Sequence, residues 1–175
     1  MIARRRLLHV GVCAAAIWCA RSGYAAAPGV SFVDWVRTLY EAAVALREAA
    51  EAGAGTDLSD QDIQGLLTPK VQALRDETRD RVMPPGEPEG PILHILFGWG
   101  ALPKRRIEIV TVRPDGDERA AVALTINGNP SKLVLTGIFS EAGKTWQIDD
   151  IDYGAGWPDQ TLRGRLARMQ GWAQR

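Results

Sequence analysis

Four segments rich in β-branched residues follow one another in the second half of the chain, and each ends at a short turn. They cover residues 107–113, 120–127, 132–141 and 145–153. The turns between them read Pro-Asp-Gly-Asp, Asn-Gly-Asn-Pro and Glu-Ala-Gly-Lys, which is typical of hairpin connections. Parallel neighbours would need a crossover of a dozen residues or more. The sequence therefore predicts a four-stranded antiparallel meander.

Helical patterns precede and follow these strands. Ser31 and Asp34 form a capping-box-like start, and an amphipathic pattern behind them predicts a long helix that ends near Gly53. Its apolar face consists of Phe32, Val36, Leu39, Ala43, Leu46 and Ala50. Shorter helices are predicted over residues 58–67, from Pro69 onward and over residues 160–170, with a helical turn at 92–97. The expected class is α+β, with N-terminal helices packed on a curved sheet and a short C-terminal helix.

The order of these elements, and the last strand Trp-Gln-Ile-Asp-Asp-Ile-Asp-Tyr, resemble the nuclear-transport-factor-like (cystatin-like) superfamily of α+β cones. The resemblance is to its small secreted bacterial members of unknown function, and it covers residues 31–153. It implies one cone-like domain over residues 28–175. The superfamily also includes isomerases in which a pocket aspartate moves a proton, although none of their catalytic motifs matches this chain residue by residue.

The first 27 residues have the pattern of a signal peptide. Arg4, Arg5 and Arg6 precede an apolar run over residues 7–20, and small residues follow up to residue 27. We expect general secretion, with the twin-arginine route as an alternative. The remaining domain is then periplasmic or secreted, and no later apolar stretch is long enough to span a membrane.

Removal of this segment limits which metal ligands and nucleophiles the remaining domain can contain. Cys13, Cys19 and His9 all lie in this segment, so no cysteine remains and His94 is the single histidine left. The expectation is that the protein holds no metal and no cofactor. Its net charge falls to −4, because 17 basic residues then face 21 acidic ones. Nothing in this balance favours nucleic acid as a partner.

The last strand carries three carboxylates, Asp149, Asp150 and Asp152. The apolar residues before them and after them have opposite parity, which predicts either burial on both faces or a β-bulge near Asp149 and Asp150. We favour the bulge, which would turn an aspartate toward water or toward turn and backbone donors. The resemblance offers another role, in which Asp150 or Asp152 acts as a base and Tyr40 or Tyr153 donates to an oxyanion.

Two tryptophans flanked by glycine are candidates for a binding rim. Trp99 lies between Gly98 and Gly100, and Trp157 follows Gly154-Ala-Gly156. Such residues can form an adaptable aromatic surface, or they can simply close the ends of the core. His94 has the same two interpretations, as a rim residue or as an ordinary core or surface histidine.

Three functional hypotheses follow. In the first, a non-catalytic exported domain binds a small apolar ligand or a cell-envelope protein near Trp99 and Trp157, with His94, Tyr153, Asp150 and Asp152 as further rim candidates. In the second, the protein is a small pocket enzyme of proton-transfer or isomerase type. In the third, it is a structural homodimer joined through the outer sheet face. Apolar residues on both faces of the third strand motivate the last hypothesis: Leu133, Val134, Leu135, Ile138 and Phe139.

Overall fold

A computed structural model describes residues 29–53, 63–78, 95–97, 106–154 and 160–172. Within these ranges the chain forms three helices and four strands. In chain order they are α1 (Phe32–Glu51), α2 (Pro69–Thr78), β1 (Ile107–Pro114), β2 (Arg119–Ile126), β3 (Asn129–Ser140), β4 (Thr145–Asp152) and α3 (Leu162–Trp172). The predicted α+β class is confirmed. The predicted signal peptide, the first half of the helix over residues 58–67, and His94, Trp99 and Trp157 lie outside the described residues.

The strands form one open sheet in the order β1-β2-β3-β4, and every neighbouring pair is antiparallel. This confirms the meander. β3 begins at Asn129, three residues before the predicted start at residue 132. The difference arises because Asn127 and Gly128, with φ of 52° and 80°, complete a two-residue turn by themselves. Asn-Gly is the dipeptide that such hairpin turns favour, so Asn129 and Pro130 are free to join the strand.

Helix α1 packs along the inner face of the sheet, against β1 and β2. The Ser31 hydroxyl accepts a hydrogen bond from the Asp34 N–H at 3.2 Å, so the predicted cap is confirmed. Hydrogen bonds from Ser31 and then from Arg37 lower the pKa of Asp34. The predicted apolar face is buried from Phe32 to Ala43, whereas Leu46 and Ala50 are half-buried. None of the helices in the described ranges has the length and apolarity that a bilayer crossing requires.

Both edges of the sheet have partners from elsewhere in the chain. Along β4, the Thr68 N–H donates to the Ile148 carbonyl at 3.0 Å, and the Ile148 N–H donates to the Leu66 carbonyl at 2.7 Å. Along β1, Arg37 of helix α1 donates to the Val112 carbonyl at 3.3 Å, and the register shifts at Val110. Covered and bulged edges resist pairing with other strands, so this sheet is protected against edge-to-edge association.

An aromatic cluster joins the start of α1 to the β3–β4 hairpin. Ring centroids lie 5.2 Å apart for Phe32 and Trp146, and 5.3 Å apart for Phe139 and Trp146. The Trp146 indole N–H donates to the Val30 carbonyl at 2.9 Å, which fixes the chain just before the helix. Gly137 lies directly beneath Phe32, and a Cβ at this position would be within 2.6 Å of the Phe32 ring carbon Cδ2. The close approach of helix and sheet therefore depends on glycine at residue 137.

Candidate functional site

The predicted bulge in β4 is confirmed. Gly137 pairs with Ile148 and Thr136 pairs with Asp150, so Asp149 is an extra residue without a partner in the register. The insertion resets the alternation, and Ile148 and Ile151 are consequently both 0% exposed. An unbulged strand would have turned one of these two side chains away from the core.

Asp149 connects three elements of the fold. Its Oδ1 accepts a hydrogen bond from the Thr68 hydroxyl at 3.1 Å, and its Oδ2 lies 3.0 Å from an Arg163 guanidinium nitrogen. The Asp149 side chain is only 15% exposed, so this ion pair is better shielded from water than a surface pair. The extra residue of the bulge thus holds α3 and the segment before α2 against the sheet.

Asp150 and Asp152 accept hydrogen bonds from backbone donors. Asp150 Oδ1 accepts from the N–H groups of Arg163 at 3.0 Å and Ile151 at 2.9 Å. The first of these N–H groups belongs to the opening turn of α3, where no intrahelical acceptor is available, so Asp150 acts as a helix cap from a distant strand. Asp152 Oδ1 accepts from the Gly154 N–H at 2.8 Å. The interpretation of these carboxylates as acceptors for turn and backbone donors is confirmed.

Two buried tyrosines hold the turn at residues 95–97. The Tyr40 hydroxyl donates to the Leu96 carbonyl at 2.6 Å, and the Tyr153 hydroxyl donates to the Ile95 carbonyl at 2.9 Å. Phe97 packs edge-on against Tyr40 with a centroid distance of 5.6 Å. Burial raises the pKa of Tyr40 and of Tyr153, and for Tyr153 this outweighs the opposing effect of the nearby Arg165 charge. Both hydroxyls therefore remain protonated donors at neutral pH.

The structure brings together half of the predicted site residues. Tyr153, Asp150 and Asp152 lie at the end of β4, whereas the positions of His94, Trp99 and Trp157 belong to the part of the chain that is not described. Sequence reasoning missed Thr68 and Arg163, because partners of a bulged strand that are 81 and 14 residues away leave no local pattern. Within the described ranges, no group of three His, Cys, Asp or Glu side chains could hold a metal ion.

Replacing Asp150 by alanine should lower the free energy of unfolding by about 1 kcal/mol, because the Arg163 N–H at the start of α3 then loses its acceptor. Asp150→Asn keeps an oxygen acceptor and should lose less, although it also removes the charge that favours a helix N-terminus. Urea unfolding of both variants measures the difference. Asp117→Ala, at an exposed position in the β1–β2 turn, is the control. Equal stability of wild type and Asp150→Ala would disprove the capping role.

The described contacts make this region a junction between β4, α3 and residues 66–68. Each of the three carboxylates accepts hydrogen bonds from within the protein, and both tyrosine hydroxyls donate to backbone carbonyls. No protein-family model matches this chain, and neither a curated protein nor a solved structure shows significant similarity to it.

Proposed function

We propose that the protein is an exported, non-catalytic domain with a cone-like α+β fold. It binds a small apolar ligand, or an apolar segment of a cell-envelope protein, at the end of the sheet where residues 95–97 meet Tyr153. The signal-peptide pattern of residues 1–27 supports export to the periplasm or beyond. The observation that carries the proposal is the contact between the Tyr153 hydroxyl and the Ile95 carbonyl at 2.9 Å.

This contact joins residues 95–97 to the end of β4, and these two described stretches directly precede Trp99 and Trp157 in the sequence. Trp99 follows Phe97 by two residues, and Trp157 follows Gly154 by three. Both tryptophans are therefore close in sequence to residues 95–97 or to Tyr153, which meet at this end of the sheet. Aromatic side chains suit an apolar ligand.

The hydrogen bonding at this end supports binding over catalysis. Tyr153 and Asp150, the groups that an isomerase would use as donor and base, already have partners in the backbone. Releasing either of them would leave a buried carbonyl or a helix N–H without a partner, at a cost of about 1–3 kcal/mol. A junction whose polar groups are already hydrogen-bonded is better suited to supporting a binding surface than to moving protons.

The proposal predicts that an apolar reporter binds at the two tryptophans. 1-Anilinonaphthalene-8-sulfonate should bind saturably to the folded wild-type protein, with increased dye fluorescence. Trp99→Ala and Trp157→Ala should each weaken this binding by about tenfold, because a buried aromatic contact contributes about 1–2 kcal/mol. A fluorescence titration at a temperature where circular dichroism shows every variant folded provides the dissociation constants.

Val110→Ala is the matched control, since Val110 is an apolar side chain with 65% exposure on β1, the strand at the opposite edge of the sheet from β4. It should leave dye binding unchanged. Equal dye affinity in both tryptophan variants and in wild type would contradict the proposed site. Native mass spectrometry of the protein purified from its own cell envelope then identifies the physiological ligand or partner.

A further inference from the structure

The turn between β2 and β3 contains the one asparagine of this chain that can form a succinimide with its neighbour. The chain has two asparagines, Asn127 and Asn129, in the stretch Asn-Gly-Asn-Pro. A succinimide forms when the main-chain nitrogen of the following residue attacks the side-chain amide carbon of asparagine. Pro130 has no N–H, so Asn129 cannot react in this way, whereas Gly128 has no Cβ that would hinder the attack. Asn127 is therefore the candidate for spontaneous deamidation.

The reaction at this residue needs only water and hydroxide as co-reactants. The Gly128 nitrogen loses its proton to hydroxide and bonds to Asn127 Cγ. The bond from Cγ to Nδ2 then breaks and releases ammonia, which takes its additional proton from water. Water next adds to the succinimide and breaks one of its two ring C–N bonds. Breakage at Cγ gives aspartate, whereas breakage at the main-chain carbonyl carbon of residue 127 gives isoaspartate, in which the chain continues through Cβ and Cγ.

The folded turn holds the two reacting atoms apart. Asn127 has a φ of 52° and Gly128 a φ of 80°. A residue with a Cβ in this left-handed region is confined to ψ of about +30 to +60°. At such a ψ, the Gly128 nitrogen lies nearly anti to the Asn127 Cβ about the Cα–C bond. Closure of the succinimide ring needs the same two atoms to be nearly eclipsed, so the reaction requires a rotation that the closed turn prevents.

Two hydrogen bonds to Arg106 stabilise this conformation. The Asn127 N–H donates to the Arg106 carbonyl at 2.8 Å, and the Arg106 N–H donates to Asn127 Oδ1 at 3.0 Å. The second bond restrains the reactive side chain itself, and the pairing of Ile126 with Asn129 closes the turn. Asn127 is exposed to water, so hydroxide can reach it. The conformation of the turn, and not burial, therefore limits the reaction.

We propose that Asn127 is a modification site that the folded protein shields and the unfolded chain exposes. Deamidation accumulates in chains whose β2–β3 turn has opened, and the two products then differ in their effect on the fold. Aspartate at residue 127 keeps an oxygen acceptor for the Arg106 N–H. Isoaspartate lengthens the main chain by one carbon atom, which a two-residue turn cannot accommodate without disturbing the register of β2 and β3. Isoaspartate therefore destabilises the hairpin, whereas aspartate is tolerated.

Incubation of the wild type at one mildly alkaline pH, folded in buffer and unfolded in guanidinium chloride, tests the shielding. Mass spectrometry of the tryptic peptide over residues 120–132 detects the change from amide to carboxylate, and Asn129 in the same peptide is the internal control. Asn127 should react at least about tenfold more slowly in the folded protein, because opening the turn breaks its hydrogen bonds. Equal rates in the two states, or modification at Asn129, would overturn the proposal.

Two variants at residue 106 show whether the hydrogen bond to the side chain is responsible. Arg106→Pro removes the N–H that donates to Asn127 Oδ1 and should raise the rate in the folded protein by about fivefold. Arg106→Ala is the matched control, since it keeps this N–H and removes only a side chain that is 82% exposed; its rate should equal that of wild type. A folded Arg106→Pro variant that reacts no faster than Arg106→Ala would contradict the shielding.

The difference between the two products is measured on the deamidated sample after its return to buffer. Brief proteolysis at the denaturant midpoint of the wild type digests the unfolded molecules and leaves the folded ones. The ratio of isoaspartate to aspartate at residue 127 should be at least about fivefold lower in the surviving chains, because the altered turn lowers stability. The same ratio before and after proteolysis would show that the turn accommodates isoaspartate and would overturn this part of the proposal.

Discussion

Gly137→Ala should lower the free energy of unfolding by about 3 kcal/mol, a large part of the stability of a typical domain. The added methyl group would lie within 2.6 Å of the Phe32 ring carbon Cδ2, far inside van der Waals contact. Phe32 has no room to retreat, because it is 1% exposed and its ring stacks with Trp35 and packs against Trp146. Relief therefore requires α1 to move away from the sheet. Chemical denaturation with a tryptophan fluorescence signal measures the loss.

Two further variants show whether the contact with Phe32 is the cause. Gly171→Ala is the matched control: it adds the same methyl group within α3, where no atom lies within 4 Å, and should be neutral or slightly stabilising. Phe32→Leu combined with Gly137→Ala should cost less than the sum of the two single changes, because the smaller side chain leaves space for the methyl group. Strict additivity would show that Gly137 matters for another reason.

The second large effect is expected at high pH. A chain that begins at Pro28 contains only two tyrosines, Tyr40 and Tyr153. Their pKa values are raised by burial in the folded state, whereas an unfolded tyrosine has a pKa of about 10. The stability that this difference contributes is fully present below about pH 10 and is lost as the pH rises above it, because the unfolded state then releases protons that the folded state keeps. We expect unfolding in alkali as a single cooperative transition.

Absorbance at 295 nm, which reports tyrosinate, tests whether the two tyrosines ionise only when the protein unfolds. The native protein should show almost no tyrosinate at pH 10.5, and both groups should then ionise together as the circular dichroism signal disappears. In urea the same chain should titrate with a pKa of about 10. Tyr40→Phe should halve the final absorbance change and leave the Leu96 carbonyl without its donor, lowering stability by about 1–3 kcal/mol. Half-maximal tyrosinate at pH 10 in a still-folded protein would contradict the assigned burial.

Local patterns predicted most of the fold. The meander, the long first helix with its Ser31 cap, and the bulge in β4 all follow from alternation, turn residues and side-chain spacing within single elements or between neighbouring ones. The pattern predicts the start of β3 three residues late, because Asn-Gly-Asn-Pro has the composition of a single turn although its first two residues suffice. Errors of this size are expected where a turn-favouring residue such as Pro130 also fits an edge of the ladder.

The candidate site was less predictable, because its contacts join distant residues. The strand pattern predicts that Asp150 and Tyr153 lie on one strand. It does not predict that Arg163 and Ile95 are their hydrogen-bond partners. The hydroxyl–carbonyl bond of Tyr153 spans 58 residues, and the Thr68 bond to Asp149 spans 81. Such long-range hydrogen bonds form only when distant parts of the chain meet in the fold. Composition and periodicity therefore do not predict them.

The hydrogen bonds between β4 and residues much earlier in the chain have a consequence for biosynthesis. Ile148 exchanges hydrogen bonds with residues 66–68, and the Trp146 indole N–H donates to the carbonyl of Val30, which lies 116 residues earlier. A nascent polypeptide that is still being elongated cannot complete either interaction until β4 has left the ribosome. Contacts this distant also slow folding, because loop-closure entropy has to be overcome first. An N-terminal half without its closing strand therefore lacks these contacts during most of translation.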